Sequence, residues 1–274
     1  MAGLSLQERQ ALERERAPLV FITGASSGIG QALARAYAAR GWRLALVARR
    51  AEVIQAWLDE AGIGPKQAQV HVADVRDREA IIAAGTRCLI EQGLPDIVIA
   101  NAGISVGIDT AEREDLAVLE DLYATNVVGM AATFHPFIRP MRLARRGTLV
   151  GIASVAAIRG LPGHGGYCAS KAAVVSYCES LRTELRKDRI RVVTLLPGFV
   201  DTPLTRNNRY AMPFLLSAEA FARRALPVID RGRRHVVIPW PMGLLALLLR
   251  CVPGFLWDRV MAGRARKQRR GAAD

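Results

Sequence analysis

The sequence predicts an α/β fold, with one sheet of parallel strands layered between helices. Three features carry that prediction. Short apolar runs bounded by glycine or proline alternate with longer stretches of helical periodicity. The first of these runs passes directly into a glycine-rich turn and then a helix. No composition break, internal repeat or low-complexity segment separates a second large domain, and 274 residues that are 51% hydrophobic can bury one large core.

Residues 4–16 alternate Glu, Arg and Leu and read as a short charged helix, so residues 1–16 are expected to be an appendage. They contain no apolar stretch of the kind a secretory signal needs. Residues 18–23 (PLVFIT) read as a strand buried on both faces. They lead into Gly24-Ala25-Ser26-Ser27-Gly28-Ile29-Gly30 and a helix over 31–40. In that order, a strand, a glycine turn and a helix bring backbone close to a pyrophosphate and offer it helix N–H groups. The spacing is G-x-x-x-G-x-G and not the commoner G-x-G-x-x-G, so a glycine turn with no ligand is the competing reading.

Residues 43–48 form the second strand, which ends at Arg49-Arg50. At this point of a dinucleotide-binding fold an acidic residue grips the 2′-hydroxyl of NAD, whereas an arginine accommodates the 2′-phosphate of NADP. Ala48 holds the acid's place and Arg49 follows it, which favours NADP(H) over NAD(H); Arg50 is expected in solvent. A helix over 51–61 stops at Gly62-Ile63-Gly64-Pro65. A strand over 67–73 ends at Asp74-Val75, and a helix covers 77–92. The strand 95–100 runs into Asn101-Ala102-Gly103. A long helical region over 111–142 is expected to be interrupted near 126–129 and at Pro136 and Pro140. The strand 147–153 ends at Ser154, the next helix reaches about residue 187, and the strand 190–196 ends at Pro197-Gly198. A helix over 217–231 and a strand over 235–238 complete the series. Strands separated by helices give parallel βαβ units with right-handed crossovers and helices on both faces.

Within the helix that ends near 187, Tyr167 and Lys171 are four residues apart and share one face. An ammonium beside a phenol favours the phenolate and draws the tyrosine pKa down from about 10, so that it can give or take a proton at a carbonyl or hydroxyl. Taken alone, the pair reads equally as a half-exposed tyrosine beside a solvated lysine.

Together these motifs resemble the short-chain dehydrogenase/reductase family over roughly residues 17–240. Thr23-Gly-Ala-Ser-Ser-Gly-Ile-Gly30 is similar to its cofactor motif and Asn101-Ala-Gly103 to its strand-four signature. Ser154, thirteen residues before Tyr167-x-x-x-Lys171, is similar to its catalytic set, and Pro197-Gly198 with Thr202 to the segment after strand six. The resemblance implies a Rossmann-type three-layer αβα sandwich with a seven-stranded parallel sheet. It implies a nicotinamide cofactor, a small-molecule carbonyl or alcohol substrate, and a homodimer or homotetramer.

It also implies roles. Tyr167 is the general acid/base, Lys171 binds the nicotinamide ribose and tunes the tyrosine, and Ser154 bonds the substrate oxygen. Asn126 holds a water in a proton relay, although it reads equally as a helix cap or kink. Gly24, Ser26, Ser27, Gly28, Ile29 and Gly30 form the pyrophosphate turn. Asp74 and Val75 contact adenine (Asp74 reads also as an ordinary turn residue), and Asn101, Ala102 and Gly103 line the adenosine side of the cleft. Pro197, Gly198, Val200 and Thr202 meet the nicotinamide end. Ser27 stands where family NADP enzymes often carry a second basic residue, so the NADP preference rests on Arg49.

The expected reaction is hydride transfer between nicotinamide and a ketone or secondary alcohol; the alternative is a non-enzymatic NADP(H)-binding regulatory protein. A sugar-nucleotide epimerase is disfavoured, because only about forty residues follow the last strand. The loops over 103–107, 155–164 and 199–216 are expected to surround the substrate. Ile104, Val106, Val155, Ile158, Leu161, Phe199, Met212, Phe214, Leu215 and Leu216 make them apolar, which favours a fatty-acyl, steroid-like or aromatic carbonyl. His164 is expected to face solvent in its loop, with substrate contact as the alternative, and Arg206 and Arg209 read equally as binding an acidic group or as solvated loop residues.

The extension 241–274 is apolar and then basic. Its uncharged run ends at Leu249, too short to cross a bilayer, and Pro239, Pro241 and Pro253 break it. Packing on its own domain or a partner subunit is the first reading, contact with a membrane surface the second, and a lid over the pocket the third. A net charge of +13 invites a nucleic-acid reading, but the basic residues are dispersed and not interleaved with aromatics, so no nucleic-acid partner is expected. Cys88, Cys168, Cys178 and Cys251 have no paired spacing, which argues for reduced thiols and no metal site. The expected setting is cytoplasmic, with a peripheral position on the inner membrane surface as the variant.

Overall fold

The computed structural model describes residues 17–206, 208, 211–264 and 266–269; the charged helix expected over 4–16, together with Arg209, lies outside the described residues. The chain alternates β1 (Leu19–Thr23), α1 (Gly28–Ala38), β2 (Arg43–Ala48), α2 (Ala51–Glu60), β3 (Ala68–Val72), α3 (Arg78–Glu91) and β4 (Ile97–Ala100). There follow α4 (Glu114–Tyr123), α5 (Gly129–Ala144), β5 (Thr148–Ile152), α6 (Gly165–Glu184) and β6 (Arg191–Pro197). After β7 (Val200–Asp201) and β8 (Leu216–Ser217) come α7 (Ala218–Asp230), β9 (His235–Ile238), α8 (Trp240–Cys251) and α9 (Gly254–Met261).

Seven strands form one parallel sheet in the order β3-β2-β1-β4-β5-β6-β9. β1, β4 and β5 are buried throughout, which is why these runs are apolar without alternation. One sheet face packs on α1, α2 and α7 through Leu33, Tyr37, Ile54, Trp57 and Phe221. The other packs on α3, α5 and α6 through Ile81, Phe134, Phe137, Val174 and Cys178. Each such large apolar side chain contributes about 1.5–3 kcal/mol of transfer free energy.

The long helical region departs from expectation. It does not break at Pro136 or Pro140, because α5 runs through both. Each proline removes one helical hydrogen bond. However, Phe134, Phe137 and Met141 are fully buried, and Pro136 packs so tightly on Gly85 of α3 that a Cβ there would lie 2.4 Å from its ring. Tertiary packing holds the helix. Near 126–129 the interruption is a π turn over Ala124–Val128, one extra residue that widens the helix without ending it.

Beyond β6, the loop over 199–216 is pinned by the two-residue parallel ladder of β7 and β8. Past β9, α8 packs on β9 and on the 3₁₀ turn Val155–Ala157, and α9 turns away from it with a bend of 117°. The chain then returns across the cleft. Gly107 N–H donates to the carbonyl of Gln268 at 3.0 Å, and Arg269 Nε reaches the buried carboxylate of Asp115 at 2.6 Å. Among the described residues, no single helix is long and apolar enough to cross a membrane.

Candidate active site

The strand order reverses between β1 and β4, and ligands of open α/β sheets bind in the crevice at the carboxyl ends of the strands flanking such a switch. A cavity of about 760 Å³ lies there. Every residue named from the sequence for catalysis or cofactor contact lines it except Gly30 and Asn126, which stand directly behind its wall.

The turn after β1 is built for close approach. Gly24 has φ +68°, and a Cβ at Gly30 would lie 2.2 Å from the Gly24 carbonyl oxygen, so the turn closes only with glycine at both positions. The Asn101 side-chain amide donates to the carbonyls of Thr23 (3.0 Å) and Gly24 (3.2 Å). The Thr23 hydroxyl in turn accepts from the N–H groups of Asn101 and Ala102. Asn101 therefore fixes the turn to the end of β4. Ser27 stands at the N-cap of α1 with no capping bond from its side chain, which leaves the positive end of the helix for an anion. Thr202 sits over this turn: a Cβ at Gly28 would lie 2.9 Å from its methyl group.

At the far end, Asp74 is flanked by two guanidinium groups. Arg76 donates to Asp74 Oδ2 from Nε (3.0 Å) and Nη2 (2.8 Å), and Arg49 Nη1 lies 3.7 Å from the same oxygen. Burial works to raise the Asp74 carboxyl, but the hydrogen bonds from Arg76 and the Arg49 charge outweigh it, leaving it below the usual carboxylate range. The carboxylate expected against adenine is thus engaged by Arg76. Arg49 and Arg50 are both exposed, as expected for Arg50, and both line the crevice. Arg76 was not legible as a site residue. Its one signal is a position two residues beyond the strand-ending Asp74, beside the turn that carries Arg49.

The opposite end gathers the candidate catalytic groups. Ser154 follows β5 and caps the 3₁₀ turn, its Oγ accepting from Ala156 N–H at 3.2 Å. Tyr167 lies in the first turn of α6, half-buried, with Lys171 buried one turn on. Lys171 Nζ donates to the carbonyl of Ile152 at 2.9 Å and stands 5.9 Å from the Tyr167 ring centre. Burial pushes the Lys171 ammonium down to about 8. Gly103 makes room for it, since a Cβ there would lie 3.2 Å from Nζ and 3.1 Å from Asn126 Oδ1.

Asn126 sits in the π turn. Its Oδ1 accepts from Ile104 N–H (2.9 Å), and its Nδ2 donates to the Ile104 carbonyl (3.0 Å) and to Ser170 Oγ (2.9 Å). Ser170 passes the connection to the Tyr167 carbonyl at 2.8 Å. The Asn126 side chain thus ties the loop after β4 to the first turn of α6.

Half of the apolar wall is where the sequence suggested. Ile104, Val155, Ile158, Leu161 and Phe199 line the cavity, whereas Val106, Met212, Phe214, Leu215 and Leu216 do not. Met242 and Leu249 of α8 and Trp257 and Met261 of α9 complete the wall. Arg159 secures these helices: its Nη1 donates to the carbonyls of Leu249 (2.5 Å) and Val252 (2.6 Å), and its guanidinium lies 4.3 Å from the Trp257 ring centre. His164, expected in solvent, is instead buried. The loop that carries it lies under the returning C-terminal chain, where Gly163 meets Arg266. Burial lowers the His164 imidazole pKa, a hydrogen bond to Pro162 opposes this, and the Lys267 charge adds to the lowering.

These features fit a nicotinamide dinucleotide: a tight glycine turn at a helix N-terminus, cations at one end, and a tyrosine–lysine pair at the other. Comparison with known proteins agrees. The family model for short chain dehydrogenases matches residues 18–212. An uncharacterized oxidoreductase of Myxococcus xanthus is 37% identical over 87% of this chain and 94% of that protein. Dehydrogenase/reductase SDR family member 7B of Bos taurus is 33% identical over 93% of this chain and 83% of that protein. Among solved structures, an alcohol dehydrogenase from Thermococcus sibiricus, complexed with 5-hydroxy-NADP, superposes with a TM-score of 0.71, at 25% identity over 81% of this chain and 96% of that one. The chain therefore belongs to the short-chain dehydrogenase/reductase family, as an oxidoreductase whose fold implies a nicotinamide cofactor.

Proposed function

We propose that this enzyme interconverts a lipophilic ketone and its secondary alcohol with NADP(H). The observation that carries the reading is the layout of one cavity: Arg49 and Arg76 at one end, Ser154, Tyr167 and Lys171 at the other, and apolar side chains above them. A guanidinium pair suits the 2′-phosphate of NADP: Arg49 can offer its planar fork to phosphate oxygens, while Arg76, forked onto Asp74, adds positive charge. A relative's structure with an NADP analogue supports the same preference.

In the reducing direction Ser154 Oγ donates a hydrogen bond to the substrate oxygen and fixes the carbonyl. Held by the glycine turn and Lys171, a nicotinamide would supply the hydride that the carbonyl carbon accepts. Tyr167 gives its phenolic proton to the oxygen, so that the new C–H and O–H bonds complete the alcohol. Lys171 stabilises the phenolate left behind, because its charge is buried beside the ring where solvent screens it little. Asn126 holds the loop and helix that carry these groups in register. Oxidation runs the same steps backwards.

The test is a panel of long-chain, steroid-like and aromatic ketones and alcohols, each with NADPH or NADH, followed by absorbance of the reduced nicotinamide. The Tyr167→Phe variant is expected to lose at least 10³-fold in kcat while retaining NADPH affinity, a loss within the range of general acid–base catalysis. Substantial turnover by that variant would remove Tyr167 from its role, and an NADH preference would overturn the cofactor reading.

A further inference from the structure

Two short helices beyond the sheet have two different faces. The inner face of α8 and α9 closes the cavity with Met242, Leu249, Trp257 and Met261. The outer face is apolar and bare. On α8, Trp240, Leu244, Leu247 and Leu248 recur at helical spacing and are all exposed, Trp240 to 75% and Leu247 to 60%. On α9, Phe255 (77% exposed), Leu256 and Val260 are exposed as well. Monomeric soluble proteins rarely leave so many large side chains together in water.

The charges on these two helices are mostly basic: Arg250 and Arg259 against Asp258. Of the basic residues that follow, Arg266, Lys267 and Arg269 bond to Asp109, Asn208 and Asp115 on the cleft side. Arg250 and Arg259 are exposed on the same helices as the apolar side chains, whereas Arg264 lines the cavity. An apolar face with a tryptophan, rimmed by arginines, complements the interface of a bilayer with anionic headgroups. At twelve residues α8 is about 18 Å long, too short to cross a bilayer alone, and α9 leaves it at a bend of 117°. Backbone at the bend is already satisfied, since Arg159 occupies the carbonyls of Leu249 and Val252. Lowering the bend into the interface therefore exposes fewer unpaired carbonyls to lipid.

We propose that the outer face of α8 and α9 docks this enzyme on an anionic bilayer. The same two helices are then both membrane contact and cavity wall, and a lipophilic substrate reaches the cleft from the bilayer. That access route rests on the proposed lipophilic substrate, whereas the docking does not.

The test is partition of the full-length chain into vesicles of phosphatidylcholine with phosphatidylglycerol, measured by co-sedimentation. It needs no turnover and is run in parallel on the Tyr167→Phe variant, so its failure is distinct from failure of the oxidoreductase reading. Partition is expected at low salt, several-fold weaker on pure phosphatidylcholine, and several-fold weaker again when salt shortens the electrostatic range. The double variant Trp240→Glu/Phe255→Glu is expected to lose at least tenfold in partition. An unchanged thermal midpoint shows that it is folded, and the milder Leu247→Ser variant gives an intermediate loss. The proposal is overturned if the wild type stays in the supernatant, or if the double variant partitions like the wild type. It is also overturned if sedimentation velocity shows a dimer that the same substitutions dissociate while vesicle binding is absent, because a second copy then covers the face.

Discussion

The Lys171 ammonium stands 5.9 Å from the centre of the Tyr167 ring and is bonded to the carbonyl of Ile152, so the charge next to the phenol is a buried one. Burial brings the Lys171 pKa down to about 8. The cationic form, which supports the phenolate, exists below that value and is lost above it. Measured at subsaturating NADPH, where kcat/KM reports the free enzyme, activity is expected to fall as pH rises through about 8. A profile flat through that value would separate the ammonium from catalysis.

The same burial makes a stability prediction. An unfolded lysine titrates near 10.4, so between about 8 and there the unfolded chain holds a proton that the folded one lacks, and this group's contribution to stability rises with pH across that window. At pH 7 the folded chain carries a charge that burial disfavours. Lys171→Met is therefore expected to leave the cofactor-free protein as stable or up to ~3 kcal/mol more stable at pH 7. The gain shrinks as pH approaches 10, and turnover is abolished. Chemical denaturation at two pH values reads this out; a lower midpoint at pH 7 would mean that the bond to Ile152 outweighs the desolvation.

Arg49 and Arg76 meet at Asp74, and the two should contribute unequally to cofactor choice. Arg49 makes only a 3.7 Å ion pair and has a largely exposed side chain, so it is free to turn to a 2′-phosphate. Arg76 is already forked onto Asp74. Arg49→Ala is expected to raise KM for NADPH ~10–100-fold with KM for NADH little changed, the size of one or two charge-assisted hydrogen bonds. Arg76→Ala is expected to give a smaller loss and, by releasing Asp74, to improve NADH use. Equal effects of either change on both cofactors would count against a phosphate site here.

Local sequence carries the sheet, the glycine turn and the tyrosine–lysine pair, because each depends on residues within one turn or one strand end. What escaped depends on contacts between distant segments. Pro136 reads as a break until Gly85 of α3 is seen to receive it. His164 reads as a solvated loop residue until the C-terminal chain is laid over it. Arg76 is one basic residue among 38 in the chain, and only the fold places its loop beside that of Arg49. The apolar stretch after β9 was legible as such, but its division into a cavity-facing and a bare side was not. That division needs the position of β9 and of the turn after Ser154.

Arg159 gives the sharpest test of the C-terminal helices as part of the substrate site. It lies in the loop after Ser154 and reaches the last turn of α8, the break beyond it and the Trp257 ring of α9. Hydrogen bonds from a charged group contribute about 1.5–3 kcal/mol each, and a guanidinium over an aromatic face about 0.5–2. Arg159→Met keeps the apolar stem but loses both hydrogen bonds from Nη1 and the charge over the ring, so α8 and α9 should loosen from the cavity together. KM for a lipophilic ketone is expected to rise about tenfold, since the lost wall bound substrate and transition state alike. On the same reasoning kcat should change less than about threefold and KM for NADPH should not move. Arg159→Lys should rescue only in part, because an ammonium can bond the carbonyls but has no planar group to stack on the Trp257 ring. A fall in kcat with KM unchanged would instead place Arg159 among the groups that act on the reacting atoms, and the two helices outside the substrate site.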